Sequence, residues 1–240
     1  MIQLGIVGDH NPQYESHKAT DMCIPLATAE MGIDVETQWI STRELSTSDI
    51  SSFDALIVAT GVYEDQSAVL DALRMAREGK IPTLAMCGGF QFMIIEYARN
   101  VLGLKEVGHA EFDSGLKEHI IAPLQCSLRG LEAPVSILRD SQVGEIYQAA
   151  GSEEKFYCSF GLAPRYAPIF ADSPLRFVGY DYEGQLRITE LPVHPFFIGT
   201  LFVPQARALK GSSHPLINEL LRVACKRRQG LGGLSSAQLP

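Results

Sequence analysis

The chain has 240 residues, 46% of them apolar and 20% charged, which is the balance of an ordinary globular protein large enough to bury a core. A formal net charge of −8 argues against nucleic acid or an anionic membrane as the main partner. No apolar run approaches the roughly 18 residues of a membrane span, and the opening Met1-Ile2-Gln3-Leu4-Gly5 has no basic stretch of the kind that starts a cleavable signal. The expectation is a cytoplasmic protein.

Leu4–Asp9 is a short apolar run ending in small and acidic residues, as expected of a buried strand leading into a loop. Tyr14 to Met31 is expected to be helical and closed by Gly32. Residues 33–40 read as a second strand and Phe53–Ala59 as a third, stopping at Thr60-Gly61. Ser67 to Glu78 carries apolar residues at positions 69, 70, 73 and 76, which is helix spacing, and Gly79 follows. Ile81–Met86 is a fourth buried strand. It runs directly into Cys87-Gly88-Gly89 and then into an apolar helix that lasts to Leu102-Gly103.

This alternation predicts an α/β fold, a doubly wound and mostly parallel sheet flanked by helices. From Phe112 to Phe202 the pattern changes. The runs Arg176–Asp181, Leu186–Leu191 and Phe196–Phe202, with a turn at Tyr182-Glu183-Gly184, predict an antiparallel addition to the same domain. His214 to Lys226 is a final helix with apolar residues 216, 217, 220, 221 and 224 on one face. The Gly- and Ser-rich residues 227–240 are expected to be a disordered tail, so the expected domain is 1–226.

Five cysteines, Cys23, Cys87, Cys126, Cys158 and Cys225, are an odd number with no CxxC spacing, which argues against a disulfide framework or a zinc site. Most are read as small buried hydrophobes. Cys87 differs, because a buried strand, Cys-Gly-Gly and a helix make a nucleophile elbow. The turn is so tight that the neighbours of the nucleophile must be small. The helix N-terminus favours the thiolate, and its free N–H groups can hold an oxyanion. The same residues also fit a buried Cys beside a glycine turn.

Ala85-Met86-Cys87-Gly88-Gly89-Phe90-Gln91 resembles the G-x-C-x-G-x-Q nucleophile motif of class I glutamine amidotransferases. The longer stretch from Gly79 to Leu104 is similar to the glutaminase domain of CTP synthase, as are Ala110-Glu111-Phe112-Asp113, Arg165-Tyr166, the turn near Asp181, and Glu190–Phe197. The resemblance implies Cys87 as nucleophile and the backbone of Gly61 and Gly88 as oxyanion hole. It also implies Gln91, Glu111 and Arg165 as the lining of a pocket for a glutamine-like small molecule. It implies no cofactor and no metal. Each lining residue also fits a simpler role, Glu111 as a surface acid and Gln91 as a residue of the first helical turn.

The family pattern breaks after the last core strand. Where it has His-Pro-Glu, this chain has Val203-Pro204-Gln205, so the base and its orienter are missing. His194 matches an earlier family segment and reads as a turn histidine. His10, His17 and His109 are the candidates for a replacement base, and His10 is preferred because Val7-Gly8-Asp9-His10 brings it straight off a central strand beside Asp9. Cys158 is a second candidate reactive thiol, or a buried one. No G-x-x-x-x-G-K-[ST] loop is present, so the resemblance is not to a complete CTP synthase. Three functions stay open: a Cys-dependent amide hydrolase with a non-standard base; a pseudoenzyme that binds an amino-acid-like ligand or regulates a partner; and a redox role for Cys87 and Cys158. Whether the chain works as a homodimer or with a partner protein is open as well.

Overall fold

The computed structural model describes residues 1–45 and 50–235, with side chains as far as Gly230; residues 46–49 and 236–240 lie outside the description. Four strands form the parallel half of the main sheet in the order expected: β1 (Ile2–Val7), β2 (Val35–Ile40), β3 (Ala55–Val58) and β4 (Thr83–Met86). β1, β3 and β4 are almost wholly buried, which is why they read as continuous apolar runs.

α1 (Glu15–Met31) ends at Gly32, whose left-handed φ of 63° suits a residue without a Cβ. α2 (Gln66–Glu78) is capped by the Asp65 carboxylate, which accepts from the Ala68 amide at 3.1 Å, and it buries Val69, Ala72, Leu73 and Ala76. α3 (Gly88–Asn100) is buried on every side from Gly88 to Ala98. That burial includes Glu96, and Arg77 of α2 answers its carboxylate at 2.7 Å. A buried carboxylate needs such a partner, because desolvation penalises the charged form.

Beyond α3 the chain makes a small three-stranded sheet of β5 (Val107–His109), β6 (Glu118–Pro123) and β9 (Phe160–Leu162). Between them lie β7 (Glu132–Ile137), the short α4 (Gln142–Tyr147) and β8 (Gly151–Lys155). β10 (Arg176–Tyr180), β11 (Leu186–Glu190) and β12 (Phe197–Thr200) complete the strands. The main sheet has nine strands in the order β2-β1-β3-β4-β12-β11-β10-β7-β8. β12 is parallel to β4, whereas β11, β10, β7 and β8 continue the sheet antiparallel. The antiparallel addition is thus an extension of the one sheet, and β12 is its seam with the parallel half.

The last helix, α5 (Pro215–Ser235), buries Leu216, Ile217, Leu220, Leu221 and Ala224 as expected. It runs past Arg227, where the tail was expected to begin, to Ser235. Two arginines tie this turn down. Arg227 donates to the Lys80 carbonyl at 3.1 Å, and Arg228 lies 3.8 Å from the buried Asp54. Among the described residues, no helix is long and apolar enough to cross a membrane.

Candidate functional site

β4 and β12 end together, with Met86 opposite Thr200, and the Cys87 amide donates to the Thr200 carbonyl at 2.8 Å. This places the elbow beside the chain that leaves β12. Cys87 has φ 52° and ψ −104°, in the left-handed region that costs an L-residue of order 1–3 kcal/mol. The glycines that follow are obligatory. A Cβ on Gly89 would lie 2.5 Å from the Val58 carbonyl oxygen, and one on Gly88 would lie 2.8 Å from that of Gly61. Those approaches bring the backbones of Gly61 and Gly88 together next to the start of α3. Such a corner can hold negative charge.

The Cys87 sulfur is not a free thiol. Cys87 is bonded to Cys158 across 71 residues, with a Cα–Cα distance of 6.2 Å, and the pair is 9% and 3% exposed. Cys158 Sγ also lies 3.3 Å from the Leu201 carbonyl. The second cysteine therefore fills the space between the elbow and the segment after β12. Cys count and spacing argued against a disulfide framework, yet the fold makes this one pair. Cys23, Cys126 and Cys225 are free, and burial pushes the Cys23 thiol far up.

Val203 stands two residues past Leu201, buried at 1% and with its amide donating to the Lys155 carbonyl at 2.8 Å. With Tyr157 and Arg207 it lines a cleft of about 610 Å³. Gln205, in the following 3-10 helix (Pro204–Lys210), is fully buried, and neither amide atom has a hydrogen-bond partner. A carboxylate and an imidazole could serve one another in this place. A valine and a glutamine cannot, so the carboxamide is left orphaned.

Each of the six histidines has a hydrogen-bond partner in the protein. His10, the preferred base, is partly exposed and bonds Asp21 at 3.0 Å while packing on Trp39. His17 is buried. Its Nδ1 accepts from the Asn11 amide at 2.9 Å, so Nε2 carries the proton that it gives the Thr60 carbonyl at 2.7 Å. Burial lowers its pKa despite that bond. Its Nε2 sits 3.4 Å from where a Cβ on Gly61 would be, so His17 braces the corner as a neutral ring.

His109 is fixed in the same way. Nδ1 accepts from the Glu111 amide at 3.1 Å, Nε2 bonds Gln91 Oε1 at 3.1 Å, and Gln91 Nε2 gives its proton to the Phe160 carbonyl at 2.9 Å. Burial pushes the His109 pKa down to about 4. His194 is the turn histidine expected, between the Phe196 amide and the Ala76 carbonyl. His119 bonds the Asp113 carbonyl, and His214 meets Tyr147 and Glu154.

The expected pocket residues are accordingly dispersed in their commitments. Gln91, on the first turn of α3, has its amide oxygen bonded to His109 and its amide nitrogen to the Phe160 carbonyl. Glu111 presents an exposed carboxylate. Arg165 is exposed, lies over the Tyr166 ring at 4.8 Å and meets Glu118 at 3.5 Å. Cysteine count and spacing carry no signal for the pairing of Cys158 with Cys87, although both stand out as candidate reactive thiols, and nothing in the sequence points to the bracing by His17. Among the described residues, no group of three or more His, Cys, Asp or Glu is arranged to hold a metal ion.

Comparison with known proteins agrees with the fold. A CTP synthase from Encephalitozoon cuniculi is 27% identical over 94% of this chain and 44% of its own length. One from Leifsonia xyli is 30% identical over 95% of this chain and 44% of its own. The chain therefore spans less than half the length of these curated relatives. Among solved structures, the glutaminase domain of the Trypanosoma brucei CTPS with bound acivicin superposes with a TM-score of 0.86 at 16% identity, covering 94% of each chain. A glutamine amidotransferase from Thermotoga maritima gives 0.58 at 12% identity, over 93% of this chain and 99% of that one. Residues 17–141 match the family described as glutamine amidotransferase class-I, and the chain belongs to that family.

Proposed function

We propose that this class I glutamine amidotransferase domain uses Cys87 for thiol–disulfide chemistry with Cys158 in place of glutamine hydrolysis. The carrying observation is the Cys87–Cys158 bond, formed on the side of the elbow where Val203 has replaced the family histidine. Amide hydrolysis needs a group that takes the nucleophile's proton, returns a proton to the leaving amine and then activates water. Val203 does none of this, and the hydrogen bonds of His10, His17 and His109 occupy those rings elsewhere. Thiol exchange requires only an anionic sulfur, a second sulfur within reach and a charge-tolerant environment. The elbow supplies all three.

The retained corner of Gly61 and Gly88 supports a second reading, in which reduced Cys87 adds to the acyl carbon of a glutamine-like small molecule and turns over slowly with a non-standard base. One preparation separates the two readings. Protein isolated without reductant should show three reactive thiols after unfolding, rising to five after treatment with dithiothreitol. The reduced protein should release no ammonia from glutamine above the blank. Five thiols without reductant, or ammonia release at the rate of a working glutaminase, would refute the redox reading.

A further inference from the structure

We infer that the Cys87–Cys158 pair reduces small hydroperoxides, with Cys87 as the attacking thiol and Cys158 as the resolving one. The inference rests on the redox reading above and gives it a substrate class. Three observations carry it.

The first is the asymmetry of the pair. Cys87 caps the N-terminus of α3 beside the adjoining backbones of Gly61 and Gly88, where negative charge is stabilised. Cys158 lies at no helix start, is 3% exposed and faces the Leu201 carbonyl, whose oxygen disfavours an anion beside it. Cys87 is therefore the sulfur better placed to carry negative charge and the first to react.

The second is size. With Cys87 9% and Cys158 3% exposed, a protein disulfide cannot lie across the pair, which leaves small molecules as its oxidants. Thr60, which precedes Gly61, has a buried hydroxyl with no hydrogen-bond partner among the described residues.

The third is the missing base. Attack by a preformed thiolate on a peroxide needs no proton acceptor, and the weak O–O bond breaks without an acid to help an amine depart. A site with valine in place of histidine loses amide hydrolysis and keeps this reaction.

The steps balance. Cys87 S⁻ attacks the terminal oxygen of ROOH. The S–O bond forms, the O–O bond breaks, and RO⁻ takes a proton from water to leave as ROH with hydroxide. Cys87 is now the sulfenic acid. The Cys158 sulfur attacks the Cys87 sulfur and the S–S bond forms. The hydroxyl of the sulfenic acid leaves with the proton of Cys158 as water. The peroxide has gained two electrons, one from each sulfur. A small dithiol then reduces the disulfide and is itself oxidised to its cyclic disulfide, which returns the pair to its starting state.

The test uses the full chain, reduced and freed of reductant, with exposed Cys126 as an internal reference thiol. On addition of hydrogen peroxide or tert-butyl hydroperoxide, peptide mapping should show Cys87 consumed roughly tenfold or more faster than Cys126, with the Cys87–Cys158 linked peptide as product. In Cys158→Ser the Cys87 sulfenic acid should accumulate and be trapped by dimedone. In Cys87→Ser the rapid phase should vanish. Cys87 reacting no faster than Cys126 in the wild-type chain overturns the inference, and this measurement needs no variant to fold. If that result is accompanied by ready formation of the linked peptide from oxidised dithiothreitol, the redox reading stands and the peroxide substrate falls. If no linked peptide forms with either oxidant, both fall.

Discussion

The two sides of Cys87 have had different fates. On the β3 side the elbow is intact: Gly88 and Gly89 sit at approaches that admit no Cβ, Gly61 has the positive φ of 121° that favours glycine, and His17 braces the Thr60 carbonyl as a neutral ring. On the β12 side the chain from Leu201 to Gln205 carries a buried valine and a buried glutamine, Val203 and Gln205, and the Cys158 sulfur lies beside the Leu201 carbonyl. Gly88 and Gly89 tolerate no side chain, because a Cβ there would collide with the backbone of Gly61 and of Val58. The lesson is that a nucleophile elbow shows where a reactive sulfur stands but not which reaction it performs.

The sharpest way to break this comparison is to rebuild the failed side. Val203→His combined with Gln205→Glu, assayed after reduction of the disulfide, should raise glutamine hydrolysis from background by about 10²–10⁴-fold, the usual contribution of a general base. No gain, in a variant shown to be folded, would mean that the β3 side is also incompetent for acyl chemistry.

A second prediction concerns acid. His109 and His194 are held near pKa 4 by burial, below the ordinary histidine value of about 6.5. The unfolded chain therefore binds more protons than the folded one between those values. Stability should be constant above about pH 6.5 and fall as the pH drops toward 4, by roughly 3 kcal/mol for each ring. Urea midpoints between pH 7 and 4.5 measure it, and a flat profile would show that the Gln91–His109 relay is not closed.

Next comes the intact side. Gly89→Ala should destabilise the fold by about 1–3 kcal/mol, because its Cβ meets the backbone of Val58, which belongs to the central sheet. Chemical unfolding of the reduced protein reads this directly. The smallest effect expected is that of His10→Ala. His10 is partly exposed and paired with Asp21, so stability should change by less than about 0.5 kcal/mol and the reactivity of Cys87 should not change at all. A large loss of Cys87 reactivity would restore His10 as a partner of the elbow.

Much of this was legible in the sequence, for identifiable reasons. Buried parallel strands are continuous apolar runs, so β1, β3 and β4 declare themselves. The elbow is a local device in which strand, Cys-Gly-Gly and helix are contiguous. The positions of Val203 and Gln205 were legible because they follow a recognisable strand end. What stayed hidden depends on tertiary closure. Cys158 meets Cys87 because the segment after β8 crosses to the end of β12, and no spacing rule encodes that crossing. Gln91 looked free to meet a ligand, yet His109, the last residue of β5, claims its oxygen. Arg227 and Arg228 looked like a solvated tail because their partners, Lys80 and Asp54, lie far away in sequence.

The most direct test of the central claim is a non-reducing peptide map of protein isolated with its free thiols blocked by iodoacetamide before any oxidant is added. The account predicts Cys87 and Cys158 in one linked peptide, with Cys23, Cys126 and Cys225 carrying the alkyl group after unfolding. It also predicts that dithiothreitol releases Cys87 and Cys158 together. Cys87 found alkylated while Cys158 remains a separate free thiol would contradict it.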